Sequence, residues 1–513
     1  MMNIKYKIVT LLLVLFMTSG CEVTNLDLLD NPNAVGTQYA KIPLLLNSTQ
    51  VNLVSILNGG MNSEAMENIR MQYQFGDYGY GGYFDPAWRT FYAGIKADNK
   101  VILELALDPE AEVSYAKHAG IAQVIEAIAA VAFVDFYGDI VYSEAVVDGV
   151  VNPARDEDKE VYEAIYSLLD QAIVNLSDTS AVDVDTDIYY GGNMDKWIKL
   201  ANTLKLKMYV QTRLFDETAS AAGINAIVAE GNYITSASDD FEFRYGTSIA
   251  NPDTRHPKYS GNYNSAGAGQ YMSISYLNAL RDNNDPRLRY YFYRQNSAIG
   301  EGGYFGRNHA TSDGTPADTN QRTTWGLYPC GGQFDDNSFS PADSGDGAGG
   351  AGIHPIILSS FVNFLMAEAT LTMSDVSGDS AAYLESAIRE SIAKVMSFGS
   401  LPGAELGSFE PSATDVDNFV ANVMADYAAA DDYGKLAIIM EQYWIALRGN
   451  GLEAYNNYRR TGLPHLQSPI DAGTVFPRVN QYPDNHIQYN LNATQQLKTN
   501  QVFWDTNPAG FID

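Results

Sequence analysis

AGIAQVIEAIAAVAFVDFYGDIVYSEA, residues 119–145, is the stretch whose reading decides how this chain folds. Ile121, Val124, Ile125, Ile128, Val131, Ala132 and Phe136 recur at helical spacing, while Gly120, Val124, Ala127, Val131 and Val134 make a second apolar row. A helix with two apolar rows must be covered on at least two sides. The stretch therefore predicts the inner helix of a layered helical fold. A bilayer span is the competing reading, but Gln123, Glu126 and Asp135 interrupt the apolar run and leave it shorter than the roughly 20 residues a bilayer needs. Gly138 stops the helix, and residues 139–144 continue as a short turn with Tyr137 and Tyr142 near its ends.

At the start of the chain, residues 1–20 combine a basic beginning (Lys5, Lys7), an apolar core and small residues leading to a cysteine, which is the pattern of a secretory leader. Thr18, Ser19, Gly20 and Cys21 are similar to a bacterial lipobox, with Thr18 in the place usually held by leucine. In that reading Cys21 is lipidated and becomes the mature N-terminus. Its acyl chains hold the protein at a membrane surface, each buried methylene contributing about 0.8 kcal/mol. The alternative is an ordinary cleaved leader with an incidental cysteine.

Composition narrows the partners. The chain carries 62 acidic and 32 basic residues, and loss of Lys5 and Lys7 with the leader brings the mature protein to about −32. Such a charge repels nucleic acid and anionic membrane faces. Once Cys21 is modified, Cys330 is the one remaining thiol, so the fold must rest on a core and not on disulfides. The 34 tyrosines are the unusual feature.

Residues 21–46 read as an extended tether with a turn at Asn31, Pro32 and Asn33. Helical patterning then covers 44–57, 87–107, 156–176, 193–214 with Asn193 as its cap, and 224–229. Consecutive helix pairs of this kind predict a mainly α fold with tetratricopeptide-like stacking, although no strict 34-residue repeat signature is present. Between 231 and 355 the text turns rich in Gly, Asn, Asp, Ser and Tyr with little sustained period, too long for an ordinary connection. Its aromatics argue against disorder, so it is expected to be a loop-rich functional region. Helices resume over 356–373, 379–398, 414–427 and 433–448, and residues 463–513 are again irregular.

FVDFYGDIVYSEA, IYYGGNMDKWIKLANTLKLKMYVQTRL, HPIILSSFVNFLMAEATL, YWIALRGNGLEAYNNYRRTGLPHL with FPRVNQYP, and the terminal FWD occur in this order along nearly the whole mature chain. Together they resemble the SusD/RagB family of Bacteroidetes outer-membrane nutrient-binding lipoproteins. The resemblance implies one SusD-like domain over 47–513, with a helical scaffold over about 47–230 and 356–462. It also implies a surface lipid anchor and pairing with a SusC-like TonB-dependent transporter. In that family the lipoprotein captures an oligosaccharide, or in some members a peptide, and passes it to the barrel without catalysis.

A pyranose has an apolar face and a rim of hydroxyls, so a receptor needs aromatic rings beside planar polar groups. Two stretches qualify. In YQFGDYGYGGYFDPAW, residues 73–88, the candidates are Tyr78, Tyr80, Tyr83 and Trp88; in 289–332 they are Tyr304, Arg307, Asn320, Trp325 and Tyr328. Trp325, the one tryptophan in the irregular region, is the first choice for a platform. Trp197 and Trp444 lie in helical patterns and Trp504 in the terminal FWD, so all three are expected in the core. Arg459 and Arg460 are expected to make structural ion pairs.

Other chemistry fits less well. Gly345, Gly347 and Gly350 match GxGxxG without the flanking strand and helix a dinucleotide site requires. Asp183, Asp185 and Asp187 alternate as in a calcium loop, yet Ile188 stands where glycine is needed and Met194 where the bidentate glutamate belongs. No cofactor is expected, and a structural calcium in the acidic loop 335–346 is the weaker alternative to a solvated turn. A peptide-binding RagB-like receptor and a secreted glycoside hydrolase are the competing functions; the hydrolase would need two carboxylates about 5 to 9 Å apart in a cleft. The lipobox yields a direct prediction: Cys21→Ser abolishes incorporation of labelled palmitate and moves the protein from the membrane pellet to the soluble fraction.

Overall fold

A computed structural model of the chain describes residues 40–74, 78, 84–311, 322–469 and 475–512. The leader, Cys21 and most of the tether lie outside the described residues. The scaffold begins with α1 (Ile42–Leu57), which buries Leu46, Leu53 and Ile56, and α2 (Gly60–Asn68). The single helix predicted over 87–107 is three pieces run end to end: α3 (Asp85–Arg89), a π-helical segment (Thr90–Lys96) and α4 (Ala97–Ala106). Next come α5 (Ala116–Tyr137), α6 (Asp158–Leu176), α7 (Met194–Gln211) and α8 (Glu217–Glu230).

α5 is the inner helix. It has 22 residues, so it is long and apolar enough to cross a membrane, contrary to the length argument from sequence. Nearly all of it is buried inside the protein, packed against α1, α4, α6 and α7, and that burial accounts for its composition. Gly138 closes it at φ +79°, where a side chain would be strained. At α7 the Asn193 side chain accepts a hydrogen bond from the Lys196 N–H, the predicted cap. α8 runs through Gly223 instead of starting after it. A Cβ there would sit 2.3 Å from the Tyr209 ring, so this glycine is what lets α7 and α8 approach.

The region 231–355 is more ordered than its composition suggests. It holds β1 (Phe241–Arg244), α9 (Pro257–Asn262), α10 (Ile274–Arg281), α11 (Leu288–Tyr291), β2 (Phe292–Tyr293), β3 (Thr324–Trp325) and β4 (Ile353–Ile357). β1 pairs antiparallel with β4, Phe241 opposite Ile357, and β2 with β3, Phe292 opposite Trp325. β4 also corrects the helix expected from 356. The helix starts three residues later as α12 (Ser359–Thr372), followed by α13 (Ser380–Met396), α14 (Ala413–Ala429) and α15 (Asp432–Ala446). α5 with α6, α7 with α8, α12 with α13 and α14 with α15 form successive packed pairs, and α7 touches α12 to join the two halves. The fold is mainly helical, with tetratricopeptide-like pairs.

α16 (Gly451–Thr461) follows, and α17 (Asp484–Tyr489) lies in the final segment. The apolar pattern does not mark α16 because much of what it buries is polar: Asn456, Asn457, Arg459 and Arg460 are all nearly inaccessible. Their partners explain why. Arg460 forks onto Glu368 of α12 with Nε to Oε1 at 2.7 Å and Nη2 to Oε2 at 2.6 Å, and Arg213 reaches the same carboxylate at 2.9 Å. Arg459 departs from the ion pair expected of it. It donates to the carbonyl oxygens of Asp135 and Arg478, while the Asp135 carboxylate accepts from Tyr162, Trp504 and Asn456. Trp197, Trp444 and Trp504 are buried as expected.

The alternating aspartates also have structural duties. Asp187 accepts from Trp197 Nε1 at 2.8 Å and from the backbone of Tyr189 and Gly192, and Asp183 pairs with Lys117. In the acidic loop, Asp335 is paired with Arg294 at 2.6 Å. Cys330 is fully buried, and burial pushes its thiol up to about 12.

Burial alone would raise the Glu368 carboxyl, but Arg460 and Arg213 outweigh it and hold the group below its ordinary 4.5. A depressed folded value means a contribution that is complete above the unfolded value and lost as pH falls through the folded one. Glu368→Gln is therefore expected to lower stability by about 3–5 kcal/mol near neutral pH, since it strands two buried guanidiniums. Urea unfolding at a series of pH values should show the gap from wild type narrowing below about pH 4.5.

Candidate functional site

Three stretches of chain meet at one junction. Ala310 N donates to Gln74 O at 3.2 Å, and the Tyr73 hydroxyl donates to Thr311 O at 2.6 Å. His309 N donates to Gln467 Oε1 at 3.2 Å, Gln467 Nε2 donates to Asn308 Oδ1 at 2.8 Å, and Arg70 Nε donates to Gln467 O at 2.9 Å. Tyr78 lies among these stretches, its hydroxyl accepting from Arg70 Nη2 at 2.8 Å and its ring 5.5 Å from His309 and 5.4 Å from Phe476. Bridges from Gln72 to Met272 and from Ser273 to Arg307 fasten the junction to the start of α10.

The junction is built on stacked rings and guanidiniums. Tyr73 and Tyr271 meet edge to face with centroids 5.8 Å apart. Arg307 lies over Tyr271 at 4.8 Å and over Tyr73 at 5.5 Å, and Arg322 covers Tyr271 at 3.7 Å. Desolvated cation–π contacts of this sort contribute roughly 2 kcal/mol each, which makes the base rigid. Two polar side chains stand out beside it. Gln74 and His309 are 6% and 1% exposed, and Gln74 Oε1 and both His309 ring nitrogens have no hydrogen-bond partner among the described residues. Burial, and then the Arg70 charge, lowers His309 to about 3, so the imidazole is neutral. A buried polar atom without a partner costs about 1–3 kcal/mol, and groups of them mark functional places.

Of the residues singled out from sequence, Tyr78 and Arg307 belong to this junction. Tyr80, Tyr83 and Asn320 lie outside the described residues. Trp325 adjoins the junction but is no exposed platform: it is fully buried in β3, its Nε1 donating to Gln270 Oε1 at 3.2 Å and its ring covered by Arg448 at 3.7 Å. Tyr304 is buried against Arg294, which sits 4.5 Å over its ring, and its hydroxyl donates to Asp335. Tyr328 packs between Tyr291 and Phe398 in the core. These three corrections share a cause. Neighbours acquired on folding cover rings that the Gly-rich text presents as exposed: Arg448 on Trp325, Arg294 on Tyr304, and Tyr291 with Phe398 on Tyr328. Trp88 belongs to a separate aromatic cluster with Tyr92, Phe133, Tyr137 and His486.

Tyr271, Gln74 and His309 were not foreseen. Tyr271 sits in GQYMSISYL with no period to mark it, and only the long-range contacts with Tyr73 and Arg322 give it significance.

Residues 35–483 match the sequence model of the SusD-like_2 family, described as starch-binding and associating with the outer membrane. Solved structures with a similar fold include a SusD homologue from Bacteroides fragilis, 18% identical, TM-score 0.71, over 91% of this chain and 100% of that one. A SusD/RagB family protein from Bacteroides thetaiotaomicron is 20% identical with a TM-score of 0.69, over 91% and 100%. A chitin-binding SusD homologue from Flavobacterium johnsoniae is 19% identical with a TM-score of 0.66, over 91% and 98%. The search of curated proteins returned no match.

The burial of Trp325 generates a prediction about its packing. Trp325→Ala should cost about 3–5 kcal/mol in denaturant unfolding, whereas Trp325→Phe, which keeps a ring under Arg448, should cost clearly less and leave the far-UV circular dichroism spectrum unchanged.

Proposed function

Because the chain belongs to the SusD-like family of outer-membrane-associated proteins, we propose that it captures an oligo- or polysaccharide and passes it, without cleaving it, to a SusC-like TonB-dependent transporter. In this reading Cys21 carries the lipid anchor and the body is displayed at the cell surface. The observation that carries the reading is the set of buried, unpartnered polar atoms of Gln74 and His309 beside the stacked tyrosines and arginines. Neutral amide and imidazole groups satisfy sugar hydroxyls without demanding a charge, and a rigid aromatic base holds such groups in position. Tyr80, Tyr83 and Asn320, which lie outside the described residues, are the further candidates from the sequence.

The chemistry favours sugar over peptide as ligand. A peptide receptor draws on a sheet edge or on backbone-directed groups, and the junction is instead made of side-chain rings, guanidiniums and neutral polar atoms.

Affinity electrophoresis through starch and soluble chitin derivatives, with calorimetry on peptide mixtures as control, tests the reading. Retention by one polysaccharide class is expected. Gln74→Ala and Tyr80→Ala should each weaken it about tenfold, the loss of roughly 1.4 kcal/mol. Heat on peptides without any glycan retention, or shortening of the polymer over time, would overturn it.

A further inference from the structure

Away from the loop junction, a cleft of about 290 Å³ is lined by Trp88, Tyr92, Val141, Val146, His486 and Tyr489, among others. Its volume is near the lower end of ligand pockets, roughly 300–1,000 Å³, and suits one ring better than a chain. The frame is fixed. Asn490 Nδ2 donates to Pro153 O at 2.8 Å, Leu491 N donates to Asn152 Oδ1 at 2.9 Å, and Asn492 Nδ2 donates to Asn152 O at 2.6 Å, clasping the turn before α6 to the end of α17.

Three observations describe what would enter. First, Tyr489 is 76% exposed beside the cleft, Leu491 is exposed two residues on, and Val151 is exposed next to Asn152, to which Leu491 N donates, so apolar surface of the kind that marks binding sites gathers here. Second, Asn485 is also exposed and lies one helical turn before Tyr489, on the same face of α17. Third, His486 is 6% exposed and its Nε2 has no hydrogen-bond partner among the described residues. Burial, then the nearby Arg155, lowers His486 to about 4, so it offers a neutral ring. Arg155 itself is engaged, stacked 4.5 Å over Tyr482 and donating to Thr494 O. Asp85, which accepts from Asn485 N, adds negative charge at the mouth. An anion is therefore disfavoured, and a neutral ring with one apolar face fits.

We propose that the cleft between Trp88 and Tyr489 is a second ligand site that takes a single neutral pyranose ring of a glycan, its C–H face on Tyr489 and its hydroxyls toward Asn485 and His486. The ligand class rests on the glycan-capture reading above, while the position of the site does not.

Saturation-transfer NMR on the full-length protein in detergent micelles, with methyl α-D-glucopyranoside and N-acetyl-D-glucosamine as probes, tests the site. Transfer to the ring C–H protons of at least one probe is expected. Tyr489→Ala should weaken it about fivefold, the loss of one aromatic contact, and Tyr489→Phe should preserve it. Tyr489 is exposed, so both variants should fold, which circular dichroism verifies. Transfer that ignores Tyr489→Ala but disappears with Gln74→Ala would put the ring at the loop junction, overturning the cleft and supporting glycan capture. No transfer from either probe, with polymer still retained in gels, would overturn the cleft alone. Silence in both experiments would overturn both readings.

Discussion

The buried carboxylate of Asp135 holds the scaffold together. It sits near the end of α5 and accepts from the Tyr162 hydroxyl of α6 at 2.5 Å, Trp504 Nε1 of the final segment at 2.9 Å and Asn456 Nδ2 of α16 at 2.7 Å. One residue thus fastens four parts of the chain that are up to 369 positions apart in sequence. Burial raises its carboxyl above the ordinary value even though Lys207, Tyr162, Arg459 and Trp504 all pull the other way. A group held at that cost persists because everything around it is arranged to satisfy it. Glu368 does the same for α7, α12 and α16 through Arg213 and Arg460.

This arrangement has a consequence for function. With the helical layers pinned by polar contacts at their centre, the loop junction rests on a fixed frame. The junction is fastened to α10 by backbone bridges and to Arg70 beyond α2 by a hydrogen bond. Arg307 and Arg322 both lie over the Tyr271 ring, contacts that fix the rings in place while the guanidiniums keep their charge. At the Trp88 cleft the nearby Arg155 is stacked on Tyr482. Both places combine rings with uncharged polar atoms, which is the chemistry a sugar ring requires.

Within the scaffold, local pattern and final structure agree closely. α5, α6, α7, α13, α14 and α15 follow their apolar periods to within a few residues, because each buries one stripe against a neighbour. α16 escaped because its buried face is made of Asn and Arg, which no hydrophobicity pattern reports. The β1–β4 and β2–β3 pairs escaped because two-to-five-residue strands joined across long separations leave no local signature.

The sequence by itself determined the class of the fold, the inner position of α5, the core roles of Trp197, Trp444 and Trp504, and the family resemblance, since all depend on spacing along the chain. Tertiary structure decided which aromatics stay exposed. Trp325, Tyr304 and Tyr328 look alike in sequence to Tyr489, yet the first three are sealed by Arg448, Arg294 and Tyr291 and the last stands open. Exposure is a property of the neighbours a side chain acquires on folding, and those neighbours come from distant parts of the chain. Arg448 meets Trp325 from 123 residues away. No pattern around either residue announces the contact.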